Sequence, residues 1–235
     1  MPGQALSAGA LAPAPLSGRS RRPGAGSALG VAVACALALA GVWLVAELVP
    51  AAQLRDAVAL RDFTLLSHPH VDLVANFLLD LLEPPLFVIW GSAMVAVSLY
   101  RGRPRTALAV ALVMALAPFT AETLKPLLAH PHAHFGAVHI APASWPSGHS
   151  TAALTVALCA VLVAPARLRP LVATVGAGYA LAVGCALLIL AWHMPSDVLG
   201  GYLVATLWMA LAVASLRFAE RRWPRRRRLA VPAET

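Results

Sequence analysis

Residues 170–216 read PLVATVGAGYALAVGCALLILAWHMPSDVLGGYLVATLWMALAVASL, which is two long apolar runs separated by a short polar sequence at 193–197. Each run has about the 20 residues that an α-helix needs to cross the hydrocarbon core of a bilayer. Hydrophobic residues make up 60% of the 235-residue chain and charged residues only 12%, which is about half the charged share of a soluble protein. The composition therefore excludes the soluble and disordered classes and indicates a polytopic membrane protein.

Six apolar segments of near-spanning length follow one another along the chain. They lie at 28–49, 84–100, 106–127, 148–165, 170–192 and 196–216. The run at 28–49 is longer than the apolar core of a signal peptide, which is the competing interpretation of basic residues followed by an apolar stretch. We therefore predict an all-α fold with six transmembrane helices.

The remaining segments complete the predicted organisation. Residues 1–27, rich in Ala, Pro, Gly and Ser, are predicted to be a disordered cytoplasmic tail, and 218–235 a basic cytoplasmic tail. Residues 28–217 form one six-helix domain, with its motifs within 84–216. Between the first two spans, 51–83 carries apolar residues at helical spacing, which predicts an amphipathic helical segment on the membrane surface.

The distribution of charge predicts the orientation. With the amino terminus inside, 15 of the 18 basic residues fall in inner segments, and only Arg55, Arg61 and Lys125 fall outside. Inner segments biased in this way follow the positive-inside rule, so both termini are predicted to be cytoplasmic. The basic run Arg225–Arg228 is expected to contact anionic headgroups rather than nucleic acid. In this predicted orientation all eight histidines lie at or beyond the outer helix ends, so the polar chemistry is expected on the extracytoplasmic face.

Three polar clusters lie at that face. Lys125, the single lysine beside seventeen arginines, closes the third span; Pro146-Ser147-Gly148-His149 opens the fourth; and His193-Met194-Pro195-Ser196-Asp197 opens the sixth. Proline suits the first turn of a helix, whose free N–H groups and dipole attract anions. Gly148 lets an anion approach the backbone closely, and Lys125 adds a full positive charge. The pattern predicts a phosphate pocket built from two helix starts and a lysine.

Two histidines beside a phosphate indicate phosphoryl transfer. One imidazole can attack phosphorus while the other protonates the leaving oxygen. Asp197, four residues after His193, can hold that ring and fix its tautomer. Structural roles are the alternatives: Ser147 as a helix cap, Lys125 as a side chain that snorkels to the interface, and Asp197 as a partner of the helix dipole.

These residues resemble the motifs of the type 2 phosphatidic acid phosphatase superfamily, which includes lipid phosphate phosphatases and vanadium haloperoxidases. The family motifs are Lys, six residues, Arg-Pro; then Pro-Ser-Gly-His; then Ser-Arg, five residues, His, three residues, Asp. Lys125 matches the lysine of the first motif, and residues 146–149 match the second motif completely. His193 and Asp197 keep the spacing of the third motif. The resemblance covers roughly residues 84–216, with the three motifs in the family's order.

The resemblance implies a role for each residue. His193 would be the nucleophile that forms a phosphohistidine, with Asp197 as its partner and His149 as the acid for the leaving group. The phosphate oxygens would be held by Lys125, Ser147 and Gly148, with His132 at the first-motif arginine position. The resemblance also implies no metal and no other cofactor, and a substrate that is a lipid phosphate or pyrophosphate in the bilayer.

The chain departs from the family pattern at both arginines. His132-Ala133 stands in place of Arg-Pro, and Ala186-Leu187 in place of Ser-Arg. A charge-assisted contact contributes about 1.5–3 kcal/mol, so losing two can slow the reaction by orders of magnitude. A non-catalytic or altered lipid-binding protein of the same fold is therefore the alternative.

A metalloenzyme is a third interpretation of the sequence. Histidines 130, 132, 134 and 139 lie close together, and imidazole is a common zinc ligand. A solvated loop is favoured, because no carboxylate or cysteine accompanies these histidines.

Overall fold

The computed structural model describes residues 24–129, 140 and 143–223, apart from the side chain of Glu47, and the regular elements of this part are all α-helices. They are α1 Ala25–Leu48, α2 Pro50–Thr64, α3 Pro69–Asp80, α4 Pro84–Tyr100, α5 Pro104–Leu127, α6 Gly148–Val163, α7 Arg169–Ile189 and α8 Pro195–Arg222. The all-helical prediction is confirmed. Most of the predicted amino-terminal tail and most of the basic tail lie outside the described residues.

Length and apolarity identify the helices that can cross a membrane. In the described part of the chain α1, α5, α7 and α8 meet both requirements. α3 and α4 meet them only as a pair, which bends by 52° at the break between them and adds a possible fifth span. α6 is apolar but has 16 residues. The chain is a membrane protein whose described residues contain four or five candidate spans, and the count of six stays a prediction.

The predicted surface segment at 51–83 consists of two helices, α2 and α3, rather than one. His68 is extended, with φ −163° and ψ 162°, because proline at the next position disfavours the helical conformation. Pro69 then begins α3. Both helices pack against α7, so the segment folds onto the bundle, while Val74 and Phe77 stay exposed.

The core of the bundle is centred on α6, which contacts α4, α5, α7 and α8. One apolar cluster joins α6, α7 and α8 through buried residues that include Ala153, Val183, Leu187 and Val198. A second joins α5, α6 and α8. α1 packs along α8 on the outside of this core. The arrangement leaves the amino-terminal turns of α6 and α8 free to meet at one end.

The contact between α6 and α7 depends on a glycine. A Cβ atom on Gly176 would lie 2.9 Å from the Cβ of Ala157, whereas a Cβ on Gly178 would meet nothing within 4 Å. We expect Gly176→Leu to lower the free energy of unfolding by about 1–3 kcal/mol, because the added side chain overpacks this contact. Thermal unfolding in detergent, with Gly178→Leu as the matched control on the same helix, measures the effect. Equal melting temperatures for the two variants would contradict the described packing.

Candidate functional site

The amino-terminal turns of α6 and α8 are bonded to each other. The backbone N–H of Ser147 donates to the carbonyl oxygen of Asp197 at 2.9 Å. The hydroxyl of Ser150 donates to the carbonyl oxygen of Val198 at 3.1 Å. The Pro-Ser-Gly-His cluster and the His193–Asp197 cluster therefore lie side by side at the same end of the bundle.

Two glycines of α8 permit this close approach. A Cβ on Gly201 would lie 2.5 Å from the carbonyl oxygen of Ser147. A Cβ on Gly200 would lie 2.8 Å from the indole nitrogen of Trp145 and 3.1 Å from the Cβ of Pro146. Any side chain at either position would push α8 away from the turn that begins α6, so glycine is required at both.

Asp197 orients His193. The carboxylate oxygen Oδ2 lies 3.2 Å from Nδ1 of His193 and accepts the backbone N–H of Met194 at 3.0 Å. Asp197 is completely buried, and the side chain of His193 is 12% exposed. Because Nδ1 faces the carboxylate, Nε2 is the ring nitrogen left on the opposite side for chemistry.

The turn that follows α7 carries the chain to His193. Trp192 N–H donates to the carbonyl of Leu187 at 2.9 Å, and Ala191 N–H to that of Leu188 at 3.1 Å, which is the Schellman pattern of helix ends. Ala191 takes a left-handed conformation with φ 54°. The ring of Trp192 then meets the ring of His149 edge to face, with centroids 5.8 Å apart.

His149 and Lys125 lie at the same end of the bundle as the His193–Asp197 pair. The half-buried imidazole of His149 interacts electrostatically with His193, Lys125, Glu122 and Glu83. The ammonium of Lys125, at the end of α5, lies 3.6 Å from the position of a Cβ on Gly148. The three sequence clusters thus meet at one end of the bundle, and two helix starts, two imidazoles and an ammonium surround one region.

Ser147 caps α6. Its hydroxyl accepts the N–H of Ser150 at 3.3 Å, and the residue is completely buried. Its contact with a phosphate stays a prediction, whereas its role as a helix cap is observed. The first N–H groups of a helix have no acceptor within the helix, so those of Gly148 and His149, the first two residues of α6, are the backbone donors that a bound anion can use.

Two acidic residues that bond directly to residues of the site were not predicted from the sequence. The carboxylate of Asp56, on α2, accepts the backbone N–H of Ser196 at 3.2 Å and its hydroxyl at 2.5 Å. The carboxylate of Glu122 lies 2.7 Å from the ammonium of Lys125. The spacing of three residues on one helix could have identified the Glu122 contact. Nothing local indicates that Asp56 reaches a residue 140 positions away.

Leu187 brings no polar group to the third-motif arginine position. It is fully buried and belongs to the same apolar cluster as Met194 and Val198, next to the start of α8. Arg55 and Arg61 on α2 are both exposed. The predicted phosphate ligand His132 lies outside the described residues.

The metal-site interpretation rests on residues that the structure does not describe. Histidines 130, 132, 134 and 139 all lie in that segment. Among the described residues, no group of three His, Cys, Asp or Glu side chains could hold a metal ion.

Comparisons with known proteins agree with this geometry. A family model described as the PAP2 superfamily matches residues 105–221, which include all three clusters. A similar solved structure is that of a transmembrane PAP2 type phosphatidylglycerolphosphate phosphatase from Bacillus subtilis, with a TM-score of 0.64. Its sequence is 23% identical, and the match covers 83% of this chain and 98% of that one. At this identity the likeness concerns the fold. A comparison with curated protein sequences finds no match.

The carboxylate of Asp56 caps the start of α8 from another helix. We expect Asp56→Ala to lower the free energy of unfolding by about 0.5–2 kcal/mol, as the loss of a helix cap does. Asp62→Ala removes an exposed carboxylate of the same helix and should change stability by less than about 0.5 kcal/mol. Thermal unfolding of the two variants in detergent makes the comparison. The capping role is rejected if Asp56→Ala unfolds at the same temperature as Asp62→Ala.

Proposed function

We propose that this chain, which matches the PAP2 superfamily over residues 105–221, is a membrane lipid-phosphate phosphohydrolase that works through a phosphohistidine. Family and fold support phosphatase-type activity in general. The observation that carries the specific proposal is the meeting of the His193–Asp197 pair, His149 and Lys125 over the amino-terminal turns of α6 and α8.

The reaction proceeds in two displacements. Nε2 of His193 attacks phosphorus, the bond from phosphorus to the lipid-side oxygen breaks, and that oxygen takes the electron pair and a proton from His149. The lipid leaves as an alcohol, or as a monophosphate if the substrate is a pyrophosphate. Water then gives a proton to His149 and attacks the phosphorus of the phosphohistidine, the nitrogen–phosphorus bond breaks with its electron pair returning to Nε2 of His193, and inorganic phosphate departs. Asp197 stabilises the positive imidazole ring throughout.

Charge stabilisation comes from groups fixed before the substrate arrives. The ammonium of Lys125 and the N–H groups of Gly148 and His149 face the position of the phosphate oxygens. The helix dipoles of α6 and α8 add partial positive charge at the same point. The proposed mechanism uses no metal.

A groove beside the site suits the lipid part of the substrate. It has a volume of about 590 Å³, runs between α1, α2 and α8, and is lined by apolar side chains that include Val42, Val45 and Leu199. Pro195 and Ser196, which follow His193 closely, line it as well. A chain lying there would enter from the bilayer. The bias of basic residues supports an extracytoplasmic location for this end, with both termini cytoplasmic.

His193 and His149 are expected to be essential for hydrolysis. Each change to Ala should lower the rate by about 100-fold or more, the usual contribution of an acid–base or nucleophilic group. Phosphate release is measured with purified full-length protein and micelles containing a lipid monophosphate or a lipid pyrophosphate. His70→Ala, an exposed histidine of α3, is the control and should keep the wild-type rate. Equal release by the wild type and His193→Ala would reject the assigned nucleophile.

Burial of Leu187 favours one second candidate, a lipid-binding protein of the same fold without hydrolase activity. We expect the wild type to hydrolyse, and His132→Arg with Leu187→Arg to gain about tenfold for each new charge-assisted contact. Leu188→Arg, which buries an arginine at the neighbouring position, controls for damage to the fold. The second candidate is correct if phosphate release appears only in the double variant.

A further inference from the structure

Glu122 places a negative charge inside the proposed phosphate site. Its oxygen Oε1 lies 2.7 Å from the ammonium of Lys125. The same oxygen lies 2.6 Å from the position of a Cβ on Gly148. The carboxylate therefore rests on the first residue of α6 while it is paired with the lysine at the end of α5.

This is the position that an anion from outside would take. A helix start with free N–H groups attracts any anionic oxygen, and an ammonium strengthens the attraction. A carboxylate oxygen and a phosphate oxygen have the same preferences for such donors. Both cannot occupy the surface of Gly148 beside Lys125 at the same time, so a phosphate that binds there has to displace Glu122.

The other described charges do not offset this carboxylate. Glu83 also interacts with the imidazole of His149, and Asp197 is committed to His193. Leu187 is buried and apolar at the position where the family has an arginine. Lys125 is the single lysine of the chain, and its charge is already balanced by Glu122.

We propose that Glu122 is a specificity-determining residue that competes with phosphate for Lys125 and the start of α6. It weakens the binding of small free anions such as inorganic phosphate, so substrates depend on their lipid part for affinity. The inference rests on the proposed function, because it assumes that this site binds phosphate.

The chain contains a close control for the ion pair. Arg217 and Glu220 on α8 have the same spacing of three residues, with the oxygen and nitrogen 3.3 Å apart. The side chains of Glu220 and Glu122 are both 60% exposed. Replacing Glu220 by Gln therefore removes an equivalent carboxylate near the other end of α8, away from the site.

The test measures the binding of inorganic phosphate to the full chain by calorimetry in detergent at neutral pH. Glu122→Gln should bind phosphate roughly two- to fivefold more tightly than the wild type, as expected for removal of one competing exposed charge. Glu220→Gln should bind like the wild type, and Lys125→Gln more weakly. An affinity of Glu122→Gln equal to or below that of the wild type overturns the inference, and so does an absence of binding in every variant.

The binding measurement and the hydrolysis measurement test the two proposals independently. If the wild type releases no phosphate from lipids but Glu122→Gln still binds phosphate more tightly, the role of Glu122 stands and the proposed function is wrong. If lipids are hydrolysed through His193 but the two affinities are equal, the proposed function stands and the role of Glu122 is wrong.

Discussion

The hydrogen bond from the N–H of Ser147 to the carbonyl of Asp197, 2.9 Å long, connects the two helix starts on which the site is built. Among apolar helices an unpaired backbone group costs several kcal/mol, so this bond strongly favours one relative placement of α6 and α8. Asp197 then has three partners, because its carbonyl accepts the N–H of Ser147 and its carboxylate contacts the His193 ring and accepts the N–H of Met194. These contacts also need glycine at positions 200 and 201, because a side chain at either would push α8 away from the turn that begins α6.

The parts of this architecture that depend on local sequence could be predicted. The apolar runs at 106–127 and 170–192 became α5, Pro104–Leu127, and α7, Arg169–Ile189, because spanning length and proline at the first turn are readable in one window. α8 continues to Arg222, beyond the predicted end at 216, because arginine ends an apolar run but is a good helix former. Hydropathy marks the membrane boundary and not the helix end.

Features that depend on tertiary contacts could not be predicted. The sequence predicts helical structure within 51–83, but not that Asp56 reaches the start of α8, since that contact joins residues 140 positions apart. It shows Ser147 at a helix start, but not that its hydroxyl is used by Ser150. The predicted spans put His149, Lys125 and His193 at helix ends on one side of the membrane, whereas only packing of α5, α6 and α8 brings them around one region.

The charges of the site bear on how strongly it would bind a substrate phosphate compared with the transition state of the proposed reaction. A group that binds substrate and transition state equally lowers KM without raising kcat. The single lysine of the site is already paired with Glu122, and Leu187 is apolar. The site therefore attracts the phosphate of a bound substrate only weakly. In the proposed reaction, the fixed donors are the N–H groups of Gly148 and His149, which bind the transferring phosphoryl group more strongly where the transition state carries more negative charge. Weak anion binding is therefore compatible with catalysis, provided that the lipid part holds the substrate in place.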